Sequence, residues 1–409
     1  MDKPKIRAVE AFPVEQKDQA YICLRDPSGL APDPIMLGMG AYFIVTLFDG
    51  ARDLRDIQAA FMRRFGELLP LETLKELVTT LDQAYFLDSP RFHEHLRQVR
   101  EEFHASPVRP PALAGLCYPS EPSALRREIE SYFAAPDGPG MAAAKASDRA
   151  LKGLIAPHID PRRGASAYAY AYGELKAHRP PALVVILGTS HYGAGPELFS
   201  ATRKDYATPL GVVPTDGGFV DRLSRRYHGG DLFADELLHR NEHSIEFQAL
   251  FLRWALGRHE FSVVPILVSS FHEMVAKGVA PVDDKRVGSF IEALSSEIDA
   301  EKRDVLIVAG VDFAHVGRKF GDEFTVDGSI AERVRREDHG LIEFITRGDP
   351  EGFFADILKD RDARRICGLA PMYTQLQLLK GRPGRLLKYG IAMEPDTGSA
   401  VSFASLAID

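Results

Sequence analysis

The sequence predicts an α/β protein in two parts: a mostly parallel or mixed sheet flanked by helices, preceded by a small α+β domain of winged-helix type. Three observations carry that expectation. Beyond residue 112, short apolar runs alternate with stretches of helical spacing, the pattern of a sheet covered on both faces. Before residue 107 the apolar spacing is mainly helical. Between them, Pro107-Val108-Arg109-Pro110-Pro111 has the stiff, extended composition of a linker. A chain of 409 residues is also long for one core. The expected division is a domain at 1–106, a linker at 107–111 and a larger domain at 112–409.

In the first part, Leu54, Ile57 and Phe61 follow Asp53, a residue suited to cap a helix. Leu71, Leu74, Leu77, Val78 and Leu81 form a second helical stripe, and residues 84–88 read as a short strand. The order of hydrophobic run, Asp-Gly, helix, helix and strand over 37–87 resembles the PqqD-like peptide-recognition fold. That resemblance implies a peptide as the partner of this domain. A winged helix also suggests DNA, but acidic residues outnumber basic ones between Asp49 and Glu102, and the whole chain carries a formal charge of -8. No basic field gathers nucleic acid or anionic lipid. A purely structural appendage is the remaining reading.

In the second part, strands are expected at 151–156, 182–187, 261–268 and 305–309, and Phe247, Leu250, Phe251 and Trp254 mark a helix. Residues 136–146, rich in Pro, Gly and Ala, are expected to form a surface loop. No apolar run reaches the ~20 residues of a membrane helix. The N-terminus lacks the apolar stretch of a signal peptide. Three scattered cysteines, Cys23, Cys117 and Cys367, argue against a disulfide framework and for a reducing, cytoplasmic setting.

Ligands collect at the carboxyl ends of parallel strands, so the residues that follow each apolar run matter most. His158 follows the first run, His191 the second, and Asp312 with His315 the fourth. His243 opens the helical stretch with Glu246 three residues on, where the two would share a face. Imidazole, thiolate and carboxylate are the usual ligands of zinc, iron and copper. Cys367 supplies the thiol, and Arg364 and Arg365 beside it would favour its thiolate if they lie close. Gly188-Thr189-Ser190-His191-Tyr192 lacks the second glycine of a nucleophile elbow, and no Cys-x-x-Cys pair exists.

These segments resemble the Memo family. They are Ala156-Pro157-His158, Leu187-Gly188-Thr189-Ser190-His191, Glu242-His243-Ser244-Ile245-Glu246, Val311-Asp312-Phe313-Ala314-His315, Ile366-Cys367-Gly368 and Gly398-Ser399-Ala400-Val401-Ser402, with Ala114-Gly115-Leu116-Cys117-Tyr118-Pro119 at the start. The resemblance spans roughly 112–409. It implies a fold similar to LigB-type class III extradiol dioxygenases and a metal site of His158, His191 and Cys367. Asp312, His243 and His315 would line the same cleft as candidate catalytic groups. Ile159-Asp160-Pro161-Arg162-Arg163-Gly164 departs from the familiar Ala-Gly-Tyr form, and Tyr192 stands where many members carry a second histidine. The loop and the extra N-terminal domain resemble the bacterial branch called AmmeMemoRadiSam system protein B, which implies radical-SAM and AMMECR-type partners. The expected function is a metal-dependent redox protein using iron or copper, with zinc as the further metal. The alternatives are a non-catalytic scaffold in a radical-SAM modification system, and an extradiol ring-cleaving dioxygenase whose iron site Glu246 or Asp312 completes.

Overall fold

The computed structural model describes residues 1–16, 19–140, 147–193 and 195–409. The chain divides into two compact units, Met1–Ser106 and Pro107–Asp409. The first begins with a three-stranded antiparallel sheet, β1 (Glu10–Gln16), β2 (Gln19–Arg25) and β3 (Ile35–Gly38). Four helices follow: α1 (Met39–Val45), α2 (Leu54–Phe65), α3 (Leu71–Gln83) and α4 (Pro90–Ala105). Helix α2 starts where Asp53 and Asp56 form a reciprocal capping box, satisfying amide donors that the first turn leaves open. Leu74, Val78 and Leu81 of α3 close over Ile57 in one core. Residues 84–88 are not a strand. Tyr85 adopts φ 65° and its ring stacks on His95 at 4.0 Å, which turns the chain and leaves only a single bridge between Leu87 and Ile6.

The second unit opens with β4 (Val108–Arg109), α5 (Pro122–Ala134), β5 (Gly153–Ala156), α6 (Ala165–Lys176) and β6 (Leu183–Thr189). Short strands β7 (Phe199–Ala201), β8 (Asp205–Thr208) and β9 (Gly211–Val213) lead to α7 (Gly217–Arg226) and α8 (His243–Leu256). Then come β10 (Ser262–Val268), α9 (His272–Lys277), α10 (Lys285–Ala300), β11 (Val305–Gly310) and β12 (His315–Gly317). The unit ends with α11 (Gly328–Arg347), α12 (Pro350–Asp360), α13 (Leu369–Leu378), β13 (Gly384–Glu394) and β14 (Ser399–Ile408).

The main sheet is mixed, in the order β12-β14-β5-β11-β6-β10-β7, with β13 paired to β14. Its centre, β5-β11-β6-β10, is parallel, and β7, β12, β13 and β14 join antiparallel. Every residue of β5, β6 and β11 is buried, because helices cover both faces. Along β6, Val185 and Leu187 pack with α7 and α10 to α13, while Val184 and Ile186 pack with α5, α6 and α8. The residues expected as a linker belong to this unit: Val108 and Arg109 form β4, which pairs with β8. Of the expected loop at 136–146, residues 141–146 lie outside the described residues. Among the described residues, no helix is long and apolar enough to cross a membrane.

Candidate metal centre

Parallel strands β5, β6 and β11 end side by side, and the residues that leave them converge. His158 follows β5. Its backbone amide donates to Asp312 Oδ1 at 3.1 Å, just past β11, and its Nδ1 lies 2.9 Å from the Gly310 carbonyl. A carbonyl only accepts, so Nδ1 carries the proton and Nε2 keeps its lone pair. That Nε2 faces Cys367 Sγ at 3.3 Å and Asp312 Oδ2 at 3.7 Å.

His191 follows β6 and is held by a residue the sequence reading passed over, Glu242. The Glu242 carboxylate accepts the His191 amide at 2.8 Å and faces its Nδ1 at 2.9 Å. It also caps α8 through the amides of His243 and Ser244 and faces His243 Nδ1 at 3.1 Å. The rings of His191 and His243 stack at 4.6 Å, and that of His158 stands edge-on to them at 4.8 and 5.1 Å. Two glycines allow this approach. A Cβ on Gly188 would sit 2.5 Å from Ser244 Oγ, and one on Gly310 would sit 2.5 Å from the Ser244 carbonyl. The first turn of α8 therefore rests directly on the ends of β6 and β11.

Glu246 does not join His243. It lies deeper and receives Arg109, the hydroxyl of Tyr118 and the amides of Ala112 and Leu113. The signal for Glu242 was positional: it stands immediately before a helix, where an acceptor side chain caps free amides. His315 also stays apart from the cluster. Its amide donates to the Arg364 carbonyl, its Nδ1 lies 3.1 Å from the Phe313 carbonyl, and its ring meets Phe320.

Cys367 comes from the loop before α13. Arg361, Asp362 and Arg365 take left-handed φ of 55°, 56° and 51°, and Asp362 Oδ1 accepts the Ile366 amide. Burial, followed by the nearby Asp312 charge, pushes the Cys367 thiol well above its ordinary pKa. The two arginines do not lower it. Arg364 pairs with buried Asp338 and Arg365 with Asp322, so each guanidinium is answered by its own carboxylate.

Burial also drives His158 well below its ordinary pKa, with His191 and His243 adding to the shift. It raises Asp312 to about 7, against the amides of His158 and Ile159. Burial pushes His315 down to about 4. Around Glu242 the balance reverses. Burial opposes both charges, yet the pair holds Glu242 well below and His191 above their ordinary values.

Ligand atoms of His158, His191 and Cys367 lie within 4.8 Å of one another, as do those of His191, Glu242 and His243. The donor set fits a transition metal. Each imidazole has its Nδ1 engaged by an oxygen, the arrangement that presents Nε2 to an ion, and a thiol completes the first group.

An α/β sheet carrying a cluster of histidines, a cysteine and carboxylates at its strand ends defines the class of protein. The Memo family, described as Memo-like protein, matches residues 109–407, and the chain belongs to it. A MEMO1 family protein of Aquifex aeolicus is 32% identical over 408 residues, 99% of both chains. A Thermus thermophilus MEMO1 family protein is 29% identical over 360 residues, 87% of this chain and 99% of that relative. One of Methanopyrus kandleri is 30% identical over 304 residues, 73% of this chain and 98% of the relative. The similarity thus reaches through Met1–Ser106 in the Aquifex relative.

Proposed function

We propose that this Memo-family protein is a metal-binding redox protein in which His158, His191 and Cys367 hold iron or copper. The observation that carries the reading is the meeting of two imidazoles and a thiol within 4.8 Å, each ring oriented through its far nitrogen. Such a metal supplies one-electron and oxygen chemistry, and a thiolate ligand suits copper better than a carboxylate does. Asp312 fixes the backbone at His158, and Glu242 fixes both His191 and His243. His243, which faces Glu242 through Nδ1, is the first candidate for moving protons, and His315 is the second. Ring cleavage with Glu246 as an iron ligand gains no support, because that carboxylate is occupied by Arg109 and Tyr118.

The proposal extends to setting and company: a cytoplasmic protein working with radical-SAM and AMMECR-type partners. A peptide is the proposed ligand of the N-terminal unit, where β3 ends the sheet and Met36 and Met39 are exposed. The replacement of the dioxygenase carboxylate by Cys367 favours a second reading, a scaffold that keeps the cleft without catalysis.

Elemental analysis after anaerobic purification tests the site, comparing wild type with Cys367→Ala and His191→Ala. Stoichiometric iron or copper lost in both variants is the expected result. Metal that survives the loss of Cys367 points to a carboxylate ligand instead. Wild type without any of these metals overturns the redox reading and leaves the scaffold.

A further inference from the structure

We propose that Arg109 is a positioning residue for the candidate metal centre, fixing His191 and His243 through Glu242; the functional consequence rests on reading His191 as a ligand. Pro107–Pro111 has the composition of a spacer, yet the Arg109 side chain has no exposed surface. Burying a guanidinium is costly, and an apolar pair of similar volume often serves a core as well or better than a buried ion pair. Its contacts must therefore be asked what else they do.

Glu246 answers the charge through Nη1. The other two donors reach backbone: Nε to the carbonyl of His239 and Nη2 to the carbonyl of Glu242, each at 3.0 Å. Those carbonyls stand on either side of the turn at Arg240 and Asn241 that delivers the chain into α8. A planar guanidinium spans the turn and sets its width, which a lysine ammonium lacks the fork to do. The surroundings leave the fork little freedom. Its carbon lies 5.3 Å from the Tyr206 ring centre, and the Tyr206 hydroxyl lies 2.8 Å from His239 Nδ1. The amides of Ala112 and Leu113 and the Tyr118 hydroxyl converge on Glu246, stitching the whole segment to α8.

Glu242 is the shared member. Its carbonyl is gripped by Arg109, and its carboxylate holds the amide and Nδ1 of His191 and faces Nδ1 of His243. Moving the carbonyl moves the carboxylate, and with it both rings. Arg109 stands three residues after Ser106, where the first unit ends, so the opening segment of the second unit braces the site.

The test uses the full-length chain in two variants. Arg109→Lys keeps a charge for Glu246 but loses the carbonyl fork. Arg109→Met with Glu246→Gln removes both charges and leaves one acceptor oxygen, for Leu113 and Tyr118, as the second variant if the first fails to fold. The readouts are long-range proton–nitrogen NMR correlations of the histidine rings in metal-free protein, and titration with cobalt(II) alone. In both variants we expect the hydrogen-bonded Nδ1–H signals of His191 and His243 to be lost while those of His158 persist. Cobalt affinity is expected to fall by about 10- to 100-fold, as for other groups that orient a ligand. A folded variant with wild-type His191 and His243 signals overturns the proposal. If wild type takes up no cobalt, the metal reading is what fails, and the ring signals alone decide whether Arg109 positions them.

Discussion

The two halves of the candidate site sit a few ångströms apart and obey opposite electrostatics. In the deep half, His158, Asp312 and Cys367 are governed by burial, which favours the neutral form of each. In the outer half, the pairing of Glu242 with His191 overcomes burial, holding the Glu242 carboxylate well below and His191 above their ordinary pKa values. The rings of His158 and His191, 4.8 Å apart, consequently shift in opposite directions. A carboxylate that faces two imidazoles outweighs desolvation through the charge of His191 and the hydrogen bonds it accepts; one that receives only backbone amides, as Asp312 does, does not. A metal entering this pocket therefore meets a thiol that must release its proton beside an imidazole already free to bind.

The largest effect expected from that contrast concerns Asp312. Its folded pKa of about 7 stands above the ordinary 3.8, so its protonated form favours the folded state. The associated stability is fully present below about pH 4 and is lost as pH rises through about 7. Asp312→Asn keeps it. Denaturant unfolding of metal-free protein should find the variant more stable than wild type at pH 8.5, by up to about 4 kcal/mol, with the difference vanishing below pH 4. Equal stability at both pH values would break the claim that burial rules the deep half.

Next is Glu242→Ala, which removes the anchor of two imidazoles while leaving His158 and Cys367 in place. Metal affinity should drop about 100-fold, measured by competition with a chelator, while cysteine-to-metal absorption persists at saturating metal. Loss of that absorption would mean the halves are not separable. The smallest effect is expected from Gly188→Ala. Its new methyl would meet Ser244 Oγ at 2.5 Å and Ile245 Cγ1 at 2.6 Å, lifting the first turn of α8. Thermal or denaturant unfolding should register roughly 1–3 kcal/mol of overpacking, and ring NMR should show His243 displaced more than His158.

The sequence made the deep half easier to read than the outer one. The central strands are buried on both faces and so appear as unbroken apolar runs, and His158 and Asp312 stand at their ends. β13 and β14 were harder. β13 is only partly buried along most of its length, and serines interrupt the apolar run of β14 although all its residues are buried. In the outer half, spacing suggested His243 with Glu246, but helical spacing does not say where the helix begins. Once α8 starts at His243, Glu242 becomes the cap and Glu246 turns toward Arg109. Arg109 itself was hidden among prolines, which suit a sheet edge as well as a linker, and its partner lies 137 positions away.

Those separations bear on how the molecule is made. Cys367 meets His158 across 209 positions, so a chain emerging from the ribosome can build the first unit and most of the sheet long before the thiol is available. Contacts of such range form slowly, since closing the intervening loop comes before any gain from it. Translation halted before Cys367 would release a polypeptide with the histidines but no sulfur beside them. The order of synthesis thus delays the meeting of thiol and imidazole until the scaffold around them is nearly finished.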